Sequence, residues 1–489
     1  MDKTASREGW EKRNVSGDPA EFLWFYIKKS EKVAGRDWKR CRIVLQYLIT
    51  ENMEDPVMFF LIIYNLLFPI VFLFFLPALL WKLIRRPGEK SNYGERFGKF
   101  TREKMERLAP FRGCVWLHAV SVGETNLALT VLDQWVKESP EKKFVLSTTT
   151  TTAQEIAKKR LPPGVELIFC PIDFFPYVAK AFLLLRPSML VIFETELWPN
   201  LINCARMYEI PIALVNARMS DHSFPGYRRF RFFFAPILRK FHAICVQTET
   251  DRERFLTIAP DMSDRVTVCG NIKFDQHAPA HLVIPDLSKW FGAGKGPVII
   301  AASTHPEEEL FLAKSWLNVR SEFPDSRLLV VPRHAERGAA LKASLSGLGL
   351  KVFRKSTDTE IPENLDCLLA DTTGELQGFL AASDIVVMGK TLAGNTEGQN
   401  IIEPAMLGKA IICGMELKNF RQALEILLKA NSVVRVADSA ELESALRKML
   451  SDPGFRSELG NRAKLAIEAN NGATEKNLSA LRRLFPEQK

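Results

Sequence analysis

Two successive series of short apolar runs, each run followed by a helical stretch, constrain the fold of this chain more than any other feature. The first series comprises Cys114–Leu117, Phe144–Leu146, Leu167–Phe169, Met189–Phe193, Ile212–Val215 and Ile244–Val246. The second comprises Val298–Ala301, Leu328–Val331, Lys351–Phe353, Cys367–Leu369, Asp384–Val387 and Ala410–Ile412. Runs this short and this apolar, alternating with helices, read as strands of parallel sheets covered on both faces. A chain of 489 residues is too long for one core. The expectation is α/β, with two Rossmann-like domains facing across a cleft. Their strands' carboxyl ends would carry the ligands. Residues 83–275 form the first expected domain, 276–296 a linker with Pro, Gly and His, and 297–489 the second.

Ahead of this body, Val57 to Trp81 is uncharged and strongly apolar. As a helix it is long enough to cross about 30 Å of hydrocarbon. Residues 57–82 are therefore expected to anchor the protein in a membrane, with a buried core helix as one alternative and, because Pro69 and Pro77 interrupt the run, a re-entrant or in-plane insertion as another. Lys82, Arg85 and Arg86 follow it and Glu51, Glu54 and Asp55 precede it, which by the positive-inside rule puts the body in the cytoplasm. Residues 1–56 are a basic extension that fits this orientation poorly, and translation starting at Met53 or Met58 would remove the conflict.

The net charge of +9 suits an anionic partner: a membrane surface, a phosphorylated lipid or a nucleotide. Eight cysteines without a CxxC pair read as reduced core thiols. Seven histidines without HExxH, and no DxD triplet after a strand, give no reason to expect a metal. No cofactor is expected and no nucleic-acid motif accompanies the basic residues. Gly292–Gly296 and Gly389–Thr391 imitate phosphate loops, but the first precedes a strand and the second lacks the leading glycine.

Chemistry-bearing residues gather where strands end. His118-Ala-Val-Ser-Val-Gly-Glu124 follows the first strand, and Glu124 is placed either to take a proton from an attacking hydroxyl or simply to interact with its helix N-terminus. Phe193-Glu-Thr-Glu-Leu-Trp-Pro-Asn200 sets Glu194 and Glu196 one residue apart, a pair that repels unless a cation or proton intervenes. Asn216–Ser220 and Gly226–Phe234 interleave arginines with aromatics, making Arg218, Arg228 and Arg229 candidates for a phosphorylated lipid acceptor, or else a solvated basic face. Ser303, Thr304 and His305, between a strand and a helix, are candidates for phosphate, though capping alone would explain them. Glu403, near a helix start, suits ribose hydroxyls.

Taken in order, HAVSVGE (118–124), FETELWPN (193–200), NARMS (216–220), GNIKFD (270–275), STHPEEE (303–309), VPRHAER (331–337), DTTGEL (371–376) and GQNIIEP (398–404) resemble the Kdo (3-deoxy-D-manno-octulosonic acid) transferases of lipopolysaccharide assembly. The resemblance covers nearly everything from the apolar segment to the C-terminus. It implies a metal-independent glycosyltransferase of GT-B architecture that moves Kdo from CMP-Kdo to lipid IVA on the cytoplasmic leaflet of the inner membrane, with inversion. It further implies Glu124 as the base, Glu194 and Lys273 as transition-state stabilisers, and Glu196 in support. CMP binding falls on Pro332, Arg333, Gly374, Glu375, Leu376, Asn400, Ile401, Ile402 and Glu403. The chain departs from the family's glycine-rich turn and Gly-Gly-His-Asn run, carrying Gly389-Lys390-Thr391 and Glu397-Gly-Gln399-Asn400 instead. Two other readings stay open: a GT-B enzyme using another nucleotide sugar, and a membrane-tethered binding module without catalysis.

Overall fold

The computed structural model describes residues 56–85, 93–275, 282–292 and 296–485. The N-terminal extension, the start at Met53, Cys41, Arg86 and part of the expected linker lie outside the described residues.

The first sheet has seven parallel strands: β1 Val115–Ala119, β2 Phe144–Thr148, β3 Val165–Phe169, β4 Met189–Phe193, β5 Ile212–Ala217, β6 Ala243–Val246 and β7 Val266–Val268, in the order β3-β2-β1-β4-β5-β6-β7. The second has seven more: β8 Val298–Thr304, β9 Arg327–Pro332, β10 Val352–Arg354, β11 Cys367–Leu369, β12 Ile385–Met388, β13 Ala410–Cys413 and β14 Val434–Arg435, in the order β10-β11-β9-β8-β12-β13-β14. Every residue of β1, β4, β5, β8 and β9 is buried, on both faces, because helices cover each sheet from both sides. The order reverses between β1 and β4 in one sheet and between β8 and β12 in the other. Those two places are where open α/β sheets leave a crevice beyond the strand ends.

The described residues up to Val268, with those from Ala480, form one compact unit, and Cys269 to Ser479 form the second. The change of unit thus falls before the expected border at residue 275. Phe274 sits in the second core, and the buried Asp275 accepts the N–H groups of Gly472 (2.7 Å) and Thr474, which open the last helix. The chain end, expected in the second domain, returns to the first unit, where Arg482 pairs with Glu138 and the Lys142 ammonium lies 3.6 Å from the Phe485 ring centre. All seven cysteines of the described residues are free and buried.

Pro56–Arg85 is one helix of 30 residues. Among the described residues no helix is long and apolar enough to cross a membrane. The reason the expected span differs is visible in its two faces. Leu61, Tyr64, Asn65, Phe68 and Phe72 form one stripe against the first unit, Phe68 stacking on Phe174 at 5.4 Å and Phe72 meeting Phe97 edge-on at 6.2 Å. Asn65 and Asn200 exchange amide hydrogen bonds of 2.8 and 3.1 Å, and the Asn65 oxygen also accepts from the Phe175 N–H. Next to them Asp173, 4% exposed, accepts the N–H groups of Asn200 (3.0 Å) and Leu201 (2.9 Å) at the start of the helix Pro199–Met207. Burial pushes the Asp173 carboxyl up to about 6 despite these donors. Such a polar staple in mid-helix suits a helix lying on protein, since its partners are lost if the helix leaves.

Candidate active site

Glu124 begins the helix Val122–Glu138, one turn beyond β1. Ser121 caps that helix through a hydrogen bond to the Glu124 N–H, and the Glu124 carboxylate answers by accepting the Val120 N–H and the Ser121 hydroxyl, each at 2.7 Å. This reciprocal arrangement is a capping box, so the helix-terminus role considered from the sequence is real. It does not exhaust the side chain: a carboxylate has about four acceptor positions, and the Val120 N–H, the Ser121 hydroxyl and the Ser121 N–H do not fill them all. Glu124 is 4% exposed, and burial, with a smaller push from Glu194, raises its carboxyl above the usual range. A base so raised is better matched to neutral pH.

Glu194 and Glu196 leave β4, the strand beside β1. Glu194 takes a left-handed backbone, φ 54°, and its carboxylate lies 3.6 Å from the Arg218 guanidinium. The pairing of one carboxylate with a local arginine is therefore present. Glu196 has burial and the Glu124 and Glu194 charges against it, which together push it up to about 7. Three carboxyl groups thus meet at the first unit's crevice, one held by a cap, one by a cation, and one at the edge of protonation.

This has a measurable consequence. Between the ordinary 4.5 and about 7, folded protein holds a proton on Glu196 that unfolded chain has released, so stability falls as pH rises through that window. Glu196→Gln, uncharged throughout, is expected to melt higher than wild type at pH 8 and to lose less between pH 5 and 8. Parallel slopes in thermal melts at the two pH values would contradict the assignment.

His118 lies on β1 beneath this cluster, fully enclosed, its Nδ1 3.0 Å from the Ser147 hydroxyl; burial takes it down to about 4, so the imidazole is neutral. Arg228 and Arg229 are exposed on the helix Phe224–Arg229, their guanidinium groups 5.8 and 5.7 Å from the rings of Phe224 and Phe230. Lys273 falls in the second unit, on the turn Ile272–Asp275, with its ammonium 5.9 Å from the Phe420 ring.

In the second unit the sequence candidates also gather beyond strand ends, but not all by their side chains. Pro332 ends β9, and the exposed Arg333 donates its N–H to Thr304 at 3.0 Å. Gly374 has φ 89°, a conformation that favours glycine. Glu375 is exposed and bound through both oxygens to Lys355 at 2.8 Å, and Leu376 opens the next helix. Glu403 accepts from the Asn400 amide at 3.0 Å, and burial raises its carboxyl. The side chains of Ile401 and Ile402 lie in the core, and the Ile402 N–H is taken by Asn400 at 3.1 Å.

The phosphate expectation at Ser303–His305 needs a similar correction. The His305 N–H is spent on the buried Glu308 carboxylate at 2.8 Å. The side chains remain suggestive: Thr304, 3% exposed, has an Oγ1 without a hydrogen-bond partner, and Ser303 has φ 55°. Four non-glycine residues with positive φ (Glu194, Asn216, Ser303 and Lys390) stand at or just past the ends of β4, β5, β8 and β12. Strain of this kind persists where surrounding structure holds it, typically at functional sites. Glu308, Asp173, Asn65 and Asn200 were not singled out from the sequence. The signal available for Glu308 was its place three residues after His305 at a helix start.

A family model described as 3-deoxy-D-manno-octulosonic-acid transferase (kdotransferase) matches residues 91–276. The 3-deoxy-D-manno-octulosonic acid transferase of Haemophilus influenzae is 28% identical over 402 residues, covering 82% of this chain and 92% of that protein. The protein of the same description from Rickettsia felis is 30% identical over 342 residues, 70% of this chain and 72% of its own length. Among solved structures, a glycosyltransferase from Rickettsia africae shares the fold at 12% identity with a TM-score of 0.53, covering 77% of this chain and all of that one (100%). With strand-end carboxylates, two seven-stranded parallel sheets and relatives this similar over most of its length, the chain belongs to the 3-deoxy-D-manno-octulosonic acid transferase family.

Proposed function

We propose that this protein transfers Kdo from CMP-Kdo to a hydroxyl of lipid IVA, at the cytoplasmic face of the inner membrane, in lipopolysaccharide biosynthesis. The observation that carries the reading, in a member of this family, is the Glu124 carboxylate, with acceptor capacity beyond its cap, beside Glu194 and Glu196, where the first sheet reverses its strand order. The acceptor hydroxyl oxygen attacks the anomeric carbon of the sugar as its proton passes to Glu124. The bond from that carbon to the phosphate oxygen breaks, its electron pair leaving with CMP. Positive charge developing on the sugar is met by Glu194, and negative charge on the departing phosphate by Lys273. Attack opposite the leaving group inverts the anomeric centre. Arg333, Glu403 and Asn400 are the residues assigned to CMP.

Purified protein incubated with CMP-Kdo and lipid IVA is expected to release CMP and give a lipid heavier by whole Kdo units in mass spectrometry. Product with a UDP-sugar, and none with CMP-Kdo, would overturn the donor assignment.

The membrane part of the proposal is supported by the outward face of the helix Pro56–Arg85. Ile62, Leu66, Leu67, Ile70, Val71, Leu73 and Phe74 are half or more exposed, from 50 to 80%. Phe60 meets Phe232, itself 57% exposed, at 5.8 Å, which extends the apolar surface to the segment carrying exposed Arg228, Arg229 and Arg231. An apolar face bordered by cations lies in the interface plane of an anionic bilayer. Wild type is expected to float with vesicles of anionic phospholipid, and Leu67→Glu/Phe74→Glu to lose most of that binding at unchanged melting temperature. Equal flotation of the two would sink the in-plane mode.

A further inference from the structure

The Glu308 carboxylate collects four backbone N–H groups from two loops. Its Oε2 accepts from His305 (2.8 Å) and Lys390 (2.7 Å), and its Oε1 from Thr391 (2.8 Å) and Leu392 (2.9 Å). The side chain is 1% exposed. His305 follows β8 and residues 390–392 follow β12, the two neighbours between which the second sheet reverses its strand order. Four convergent donors at that crevice would otherwise form an anion nest. Here the nest is filled from within.

The filling fixes what surrounds it. Lys390 is held at φ 60°, a backbone that a lysine seldom adopts, and its carbonyl is tied to the Gly398 N–H at 2.8 Å. In this position its ammonium lies near enough to His305 to depress the imidazole, after burial, below its ordinary range. His305 also contacts the Gln399 amide at 3.1 Å and meets His334 edge-on at 5.7 Å. One carboxylate therefore braces the backbone that carries an ammonium and an imidazole, on the loops after β12 and β8, while its own charge is absorbed by backbone donors.

We infer that Glu308 is a positioning residue for the donor: it occupies the backbone nest itself and so aims Lys390 and His305 at the anionic group of a nucleotide. This rests on the second unit being the nucleotide-binding unit, as the proposed function has it, but not on the identity of base or sugar.

The test is a double-mutant cycle on the full chain, with CMP and UDP as calorimetric probes. Lys390→Met is expected to weaken binding about tenfold without loss of folding. Glu308→Gln offers one oxygen where two were used, stranding two N–H groups, and is expected to weaken binding at least tenfold while leaving the acceptor KM unchanged. Because Glu308 acts through Lys390, the double variant should bind no more than about threefold worse than the weaker single. Effects that multiply to a hundredfold, or a change in acceptor KM equal to that in donor affinity, would overturn the inference. If Glu308→Gln does not fold by circular dichroism, Glu308→Asp, which keeps both oxygens but withdraws them by one methylene, carries the same cycle, and unchanged affinity there would also overturn it. Binding of UDP in place of CMP would remove the Kdo assignment and leave the cycle readable. Binding of neither would remove both.

Discussion

Glu124→Gln is expected to lower turnover by about two to four orders of magnitude, the usual contribution of a general base, with CMP affinity within about twofold of wild type. Glutamine is the informative replacement because two functions meet in this side chain. Its amide oxygen can still accept the Val120 N–H, and the Ser121 hydroxyl can rotate to accept from its NH₂, so the capping box survives in altered form. What glutamine lacks is the capacity to take a proton. Glu124→Ala, by contrast, removes the base together with the carboxylate's half of the capping box, while Ser121 still accepts the backbone N–H at position 124. Steady-state kinetics on both, with circular dichroism, separate the roles. A glutamine variant keeping more than a tenth of wild-type turnover would leave Glu124 with a structural role alone.

Arg337→Ala is expected to destabilise the second unit by about 3–5 kcal/mol, the range for stripping a buried charge of its partner. The guanidinium grips Glu309 through two bonds, 2.8 and 3.2 Å, and the Glu309 side chain is 1% exposed. Without the arginine the carboxylate must stay charged in a dry place, take up a proton, or drag the helix Glu308–Arg320 out of register. Arg337→Met/Glu309→Leu removes both charges and should recover most of the loss, since an apolar pair of similar volume replaces a costly desolvation. Chemical denaturation reads the result as midpoint shifts. A cost below about 1 kcal/mol for Arg337→Ala would show that water reaches Glu309.

Among the described residues, the pattern of apolar runs was enough to locate twelve of the fourteen strands, because a strand buried on both faces has few polar residues to interrupt it. The two it missed, β7 and β14, are three and two residues long and lie at sheet edges, where one side needs no cover. The carboxylate cluster was legible for a related reason: charge placed right after an apolar strand is costly and conspicuous. The Glu308 brace as a whole was not legible, since three of its four partners are backbone N–H groups 82 to 84 residues away and backbone donors leave no mark on residue type. The apolar helix misled because hydropathy adds up all its sides, whereas Asn65 shows that one side belongs to the protein.

That division of the helix into two independent faces has a practical corollary. Residues 62, 66, 67, 70, 71, 73 and 74 are half or more exposed among the described residues, so glutamate and lysine at the most exposed of them, Leu66, Leu73 and Phe74, should yield a version that is handled in plain buffer. The stripe from Leu61 through Tyr64, Asn65 and Phe68 to Phe72 tolerates no such rewriting, because the amide pair with Asn200 and the ring stack on Phe174 would go with it.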